Sequence, residues 1–404
     1  MKCWKKILLV LLVVVIISQL PFAYRRYRLG QLHAGIQQLN SQRRVEQDHT
    51  GFIEYKGVIH VHSSLGGHSR GTFEEIIEAA NANQLNFVVM TEHPSKNFNT
   101  TEMTLKGVHA GVLFINGNEL TTRNEDRLLI MPGDETASGA AGSSTKDVLS
   151  RERNKGALAF VAYPQEFRSW DASDYDGVEV YNLYTNARQI NPLVMFFDGL
   201  WSYRGYPDLL FATFYAKPAE SLQRWDEALT TRRKRIVAIA GNDAHANLGI
   251  SLNDSSGKTL LGFRLDPYER SFHLVRVHVL IPKEKALDSD TLLAALAAGH
   301  CFIGFDLFCD SSGFRFTASN TSQNKIQGDE IRLEKQVRLG ITTPVSSRVV
   351  LLRDGNAVQE WSDVRVKDFV VTERGSYRVE IYLPQLPKPI SDQPWIISNP
   401  IYVQ

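Results

Sequence analysis

The chain has 404 residues, 43% apolar and 22% charged, which is enough for two packed domains and too apolar for a disordered or collagen-like polymer. Three cysteines cannot build a disulfide scaffold or a cysteine-rich zinc module, and Cys301 and Cys309 are a candidate pair only in an exported chain. The first 28 residues hold six basic and no acidic side chains, while the remaining 376 hold 39 basic against 44 acidic, so the body has no basic face for long nucleic acid.

Between Lys6 and Arg25 lie 18 residues that begin with an unbroken aliphatic run. As a helix they reach about 27 Å, close to the thickness of a bilayer core. The residues before Arg25 make a poor small-residue cleavage site, so residues 1–28 are read as a retained transmembrane anchor. Basic residues flank both ends, and the default for so short a leader places the amino end inside and the body outside. Residues 29–52, polar with scattered Leu and Ile, are expected to form a helical linker.

From residue 53 to 306 short aliphatic runs alternate with helical stretches, the pattern of βα units around a parallel sheet or barrel. The runs are 58–61, 87–90, 112–115, 128–131, 158–161, 178–180, 236–240 and 275–280. Thr72 and Glu75 have capping-box spacing ahead of Ile76, Ile77, Ala79 and Ala80, so a helix is expected after the first strand, and another over 289–298. Beyond residue 307 the runs 349–352, 369–371 and 377–382, with Asp354-Gly355 as a turn, predict a small all-β, sandwich-like domain reaching residue 404.

Polar residues stand where the predicted strands end. His60 and His62 close the first, His93 follows the second, Glu119 follows the third, and Asp243 and His245 follow the run ending at Ala240. Residues two apart on an extended strand point the same way, so each H-x-H or D-x-H pair can offer two ligands to one ion. In an α/β barrel such ends carry the active site.

Six motifs together resemble the PHP (polymerase and histidinol phosphatase) superfamily in order and spacing: HVHSS at 60–64, TEH at 91–93, GNE at 117–119, AYP at 162–164, VEVYN at 178–182 and GNDAH at 241–245. The resemblance implies a distorted (β/α)7 barrel over 53–306 that hydrolyses phosphate esters with a metal-activated water. By it, His60, His62, Glu119 and Asp243 would hold one ion, His68, His93 and His245 another, and Glu119 would also reach a further position. That position is altered: the family has AHP where this chain has Tyr163, and a neutral phenol is a poor ligand. A second departure is Glu92, where the family has Asp, at a position that orients rather than coordinates. One or two divalent ions are therefore expected, and imidazole with carboxylate suits zinc, manganese or iron.

Arg70 and Lys96 are candidates to neutralise a phosphate, with surface cations as the plainer reading. Tyr163 is a candidate proton donor, and His300, after Gly299, a candidate facing the barrel mouth. His278 is read as packing or hydrogen-bonding within the fold. The expected partner is a small or lipid-borne phosphoester, with the membrane met through the anchor. Two alternatives stand beside this: a degenerate barrel that binds metal or ligand without turnover, and a metallohydrolase of carboxylic ester or amide bonds.

Overall fold

The computed structural model describes residues 3–46, 50–187, 191–232, 235–247, 249–253, 259–264 and 266–404. It opens with one long helix, α1 (Cys3–Ser41). Its first half carries an apolar surface on all sides, with Ile7 to Ile17 exposed, and among the described residues it is the helix long and apolar enough to cross a membrane. Its second half is not a free linker. Leu29, Leu32, Ile36 and Leu39, spaced to share one helix face, are buried in the main core. Arg28 donates to the carbonyl of Lys388 at 2.6 Å, and Arg43 pairs with Asp310 at 3.1 Å, so the helix docks on the carboxyl-terminal part of the chain.

The α/β part then runs β1 (Phe52–Val61), α2 (Phe73–Ala82), β2 (Phe87–Met90), β3 (Val112–Ile115), β4 (Asn118–Thr121), β5 (Arg127–Met131), α3 (Thr145–Asn154), β6 (Leu158–Ala162), β7 (Gly177–Asn182), α4 (Pro192–Ser202), α5 (Ala219–Arg232), β8 (Val237–Gly241), β9 (Arg276–Pro282), α6 (Ser289–Ala298) and β10 (Cys301–Gly304). The predicted capping box is present: Thr72 accepts from the Glu75 amide while Glu75 accepts from the Thr72 amide. Strands β2, β3, β6, β7 and β8 are buried nearly throughout, as aliphatic strands covered on both faces must be.

The architecture is mixed α/β with large sheets, and among the described residues the seven expected barrel strands do not form one continuous ladder. Strands β4 to β8 form a five-stranded sheet, and β1, β2 and β3 belong to a separate 14-stranded sheet. Among the described residues they are linked by single parallel bridges, Val61 with Ala244 and Glu92 with Asn118, and by backbone hydrogen bonds in which the Asn242 amide donates to Ile59, the His62 amide to Ala244 and the Glu119 amide to Glu92. The cause is local. His60 has a φ of 68° and interrupts the β1–β2 register, and Asp243, just past β8, has a φ of 46°, so both chains turn where a ladder would continue. Nor is the strand–helix alternation complete, since β5 pairs antiparallel with both β4 and β6, and β9 antiparallel with β1.

Beyond β10 come β11 (Arg315–Ser319), β12 (Val337–Arg353), β13 (Asn356–Val371), β14 (Gly375–Tyr382) and β15 (Pro394–Ser398). The predicted Asp354-Gly355 turn joins β12 to β13, with φ of 50° and 80°, the paired left-handed residues a two-residue hairpin turn needs. This region continues the large sheet, because β15 pairs with β10 through Phe302 and Ser398. Cys301 and Cys309 are separate buried thiols.

Candidate metal centre

The strand ends bring six of the predicted residues together. His60 and His62 come from the end of β1, His93 from beyond β2, Glu119 from β4, and Asp243 and His245 from beyond β8. They form two groups whose ligand atoms lie within 4.8 Å of one another: His60, His62, Glu119 and Asp243, and His62, His93 and His245. His62 belongs to both. His60 Nε2 and His62 Nε2 lie 3.2 and 3.3 Å from the same Glu119 oxygen, and both lie 3.5 Å from Asp243 Oδ1. His60, Tyr163 and Asp243 all have left-handed backbone, a conformation that costs about 1–3 kcal/mol per residue and persists only where its surroundings enforce it.

Hydrogen bonds fix the orientation of these side chains. His60 Nδ1 donates to Glu179 Oε1 at 2.6 Å, and His245 Nδ1 donates to the carbonyl of Asp243 at 2.8 Å, which fixes both rings, with His60 Nε2 turned to Glu119 and Asp243. Asn182 donates to Glu179 at 3.2 Å and to Asp243 Oδ2 at 3.3 Å. Tyr163 donates to that same Asp243 oxygen at 2.6 Å, so it positions a ligand candidate from the place where the resemblance expects a histidine. Glu92 is buried and turned to Ser63 and Thr104, and stands in neither ligand group.

The electrostatics suit cations. Burial alone would lower the His60 pKa, yet Glu179, Asp243 and Glu119 together hold it well above the ordinary imidazole value. Burial pushes Glu119 and Asp243 upward, and the neighbouring imidazoles overcome it, so both carboxylates stay well below their usual range. His93 and His245 are lowered to about 4, chiefly by burial, and are therefore neutral ligands at pH 7. Donors for an ion are also left over: His62 Nε2, Glu119 Oε1 and Asp243 Oδ1 are buried without a hydrogen-bond partner among the described residues. Buried acceptors without donors are costly unless something else satisfies them, and a divalent ion would.

The other predicted residues lie outside these groups. His68 is exposed, its ring edge-on to His93 at 4.8 Å, and His62 stands in the second group where His68 was expected. Arg70 and Lys96 are exposed, Arg70 touching the site through its amide, which donates to the His245 carbonyl. His300 binds Asp329 at 2.9 Å and packs edge-on against Phe52, lining a groove of about 800 Å³ that contains none of the ligand candidates.

Three residues without an assigned role in the sequence reading belong to the site. Glu179 and Asn182 sit in the VEVYN run at the end of β7, where the position two strands away from His60 was a usable signal. Arg127 had none. Its Nη1 lies 3.5 Å from Glu119 Oε1 and its guanidinium 4.9 Å from the Tyr163 ring centre. The glycine at 241 is needed for Glu179: a Cβ there would fall 1.7 Å from Glu179 Oε1 and 3.0 Å from the His60 Cβ. Gly241→Ala is expected to push Glu179 off His60 and weaken metal binding by about 10–100-fold, the usual cost of losing such a supporting carboxylate. Competition with a chelating dye measures it, and an unchanged affinity would contradict the role given to Glu179.

The fold and site together define a mixed α/β protein with a buried His/Glu/Asp cluster able to hold metal ions. No family model and no curated protein sequence matches the chain. Solved structures similar over part of it include the following two. PsfC from Pseudomonas syringae PB-5123 is 12% identical with a TM-score of 0.36, over 60% of this chain and 89% of that one. Endonuclease Q, in complex with a 27-mer duplex carrying an abasic lesion, is 13% identical with a TM-score of 0.38, over 60% of this chain and 56% of that one.

Proposed function

We propose that this chain is a membrane-anchored, metal-dependent phosphoesterase of the PHP type, acting on a small or lipid-borne phosphate mono- or diester. The observation that carries the reading is the convergence of the buried His60, His62, Glu119 and Asp243 beside His93 and His245, a mixed imidazole and carboxylate donor set suited to one or two divalent ions. The order of the six motifs supports the family, and so does the ring that β1, β2 and β4 to β8 would make if the two bridges are counted as its closing contacts. The anchor would place the amino end inside and the body outside.

Held by these residues, zinc, manganese or iron would lower the pKa of a bound water and neutralise phosphoryl charge. The protein's own groups set the rest. Tyr163 and Asn182 hold Asp243 by one oxygen and leave Oδ1 turned to the two histidines. Glu179 fixes the His60 ring. Arg127, partly exposed beside Glu119, offers a fixed positive charge to a phosphate entering the cluster. His93 and His245, neutral at pH 7, add no charge that would oppose a cation.

The test is metal content and turnover of the detergent-purified full chain prepared without chelator. The expected result is one or two ions per chain and manganese- or zinc-dependent hydrolysis of bis-p-nitrophenyl phosphate or p-nitrophenyl phosphate, with turnover lost and metal content reduced in Glu119→Gln. Metal without turnover would move the protein to a binding module, and cleavage of p-nitrophenyl acetate alone to the carboxylic-ester reading. A chain that takes up no manganese or zinc would overturn the metal centre itself.

A further inference from the structure

Helix α4 is an unusual surface element. Leu193, Phe196 and Leu200, at positions i, i+3 and i+7, form one stripe, and they are 69%, 57% and 67% exposed. The one acidic side chain of α4, Asp198, is turned inward and pairs with Arg25 at 2.7 Å, so no charge interrupts the stripe. An exposed apolar face of this kind marks a contact surface.

What covers it follows from what α4 is tied to. Its neighbouring face grips α1 at the last turns of the apolar run. The Phe22 and Phe197 rings lie 4.9 Å apart, Trp201 Nε1 donates to Gln19 at 3.0 Å, and Arg26 donates to the Trp201 carbonyl. Residues 19–26 are where the aliphatic helix gives way to Tyr24, Arg25, Arg26, Tyr27 and Arg28, the aromatic and basic mixture found at a membrane surface. A helix fastened to those turns lies at headgroup depth whenever α1 spans the bilayer. Trp201, at its end and bonded to Gln19, is the residue type that favours that layer.

We propose that α4 is a second membrane contact, lying in the interface with Leu193, Phe196 and Leu200 inserted among the lipids. The proposal rests on the reading of α1 as a membrane span. It makes the attachment two-point, an anchor plus an interfacial helix, and so fixes the body's tilt on the bilayer. It also has a bearing on the site. Asn182, which holds Asp243, ends β7, and a short helix (Leu183–Ala187) follows it in the chain ahead of α4, with the Tyr184 ring tilted against that of His245 at 5.8 Å. Docking α4 therefore brings this side of the metal centre towards the lipid surface, where a lipid-borne phosphoester would be met.

The full chain, reconstituted in phosphatidylcholine–phosphatidylglycerol vesicles, tests this with Phe196→Trp, Leu200→Trp and Leu12→Trp, each read as the difference in emission from the unsubstituted protein. Lipids brominated near the headgroups are expected to quench most of the added emission at 196 and 200, and lipids brominated deep in the chains that at 12. Quenching at 12 with none at 196 and 200 would overturn the proposal and leave the anchor standing. A blue-shifted, unquenched emission at 196 and 200 would mean that protein, such as a second copy of the chain, covers the stripe. No quenching at 12 would remove the anchor and the proposal with it.

Discussion

His62→Ala is expected to weaken metal binding at both ligand groups, whereas His93→Ala should leave one ion per chain held as tightly as in the parent. The difference follows from membership. His62 is one of four ligand candidates in the first group and one of three in the second, so its loss leaves three and two. His93 belongs to the second group alone, and its removal leaves His60, His62, Glu119 and Asp243 untouched. Metal stabilisation of phosphoryl transfer amounts to several kcal/mol, so His62→Ala should lose at least about 10³-fold in kcat/KM. Mass spectrometry of metal per chain, alongside circular dichroism to show that the fold persists, checks the pair. Equal metal retention in the two variants would mean that the groups do not share a ligand and that the centre is not built as described.

That His62 would be the shared residue could not be read from the sequence, although most of the site could. Strand ends were legible because the buried strands are continuous aliphatic runs, and a polar residue at their margin stands out. His60, His62, His93, Glu119, Asp243 and His245 were found this way, and the structure brings all six together. His68 is placed differently, outside both groups and edge-on to His93. Its expected role came from the resemblance alone, and the loop after β1 carries His68 to the surface while His62 stands in both ligand groups. Arg127 was invisible because its relation to Glu119 exists only through the antiparallel pairing of β4 with β5. The same limit applies to the fold. The 3–4 spacing of Leu29, Leu32, Ile36 and Leu39 predicts a helix with one apolar face, but not that the face is buried against the body. Aliphatic runs identify strands and leave their direction open, so β5 and β9 were expected in a parallel series and pair antiparallel instead.

A buried ionic network behind β1 should make stability depend on pH in a direction that can be worked out. His278 on β9 is fully buried, stacked on Phe302, with Nδ1 2.8 Å from Glu54 on β1 and Nε2 3.2 Å from Asp306. Arg315 binds the other oxygen of Glu54, and Arg276 and Ser311 bind Asp306. Burial alone would lower the His278 pKa, but Asp306 and Glu54 raise it to about 9. Because the folded value exceeds the unfolded one of about 6.5, the protonated ring stabilises the fold fully below about pH 6.5, and that contribution is lost as pH rises through about 9. The shift corresponds to about 3 kcal/mol. His278→Phe keeps the stacking and removes the charge, leaving Glu54 Oε1 without its imidazole donor, and breaking such a buried pair costs about 3–5 kcal/mol. The variant's thermal midpoint in detergent should therefore lie well below that of the parent at pH 6, and the gap should narrow above pH 9 as the parent's own His278 loses its proton. A gap of the same size at both pH values would show that His278 is neutral in the folded chain. Glu54 opens the strand that ends in His60 and His62, so this network fixes the far end of the element that presents both ligands.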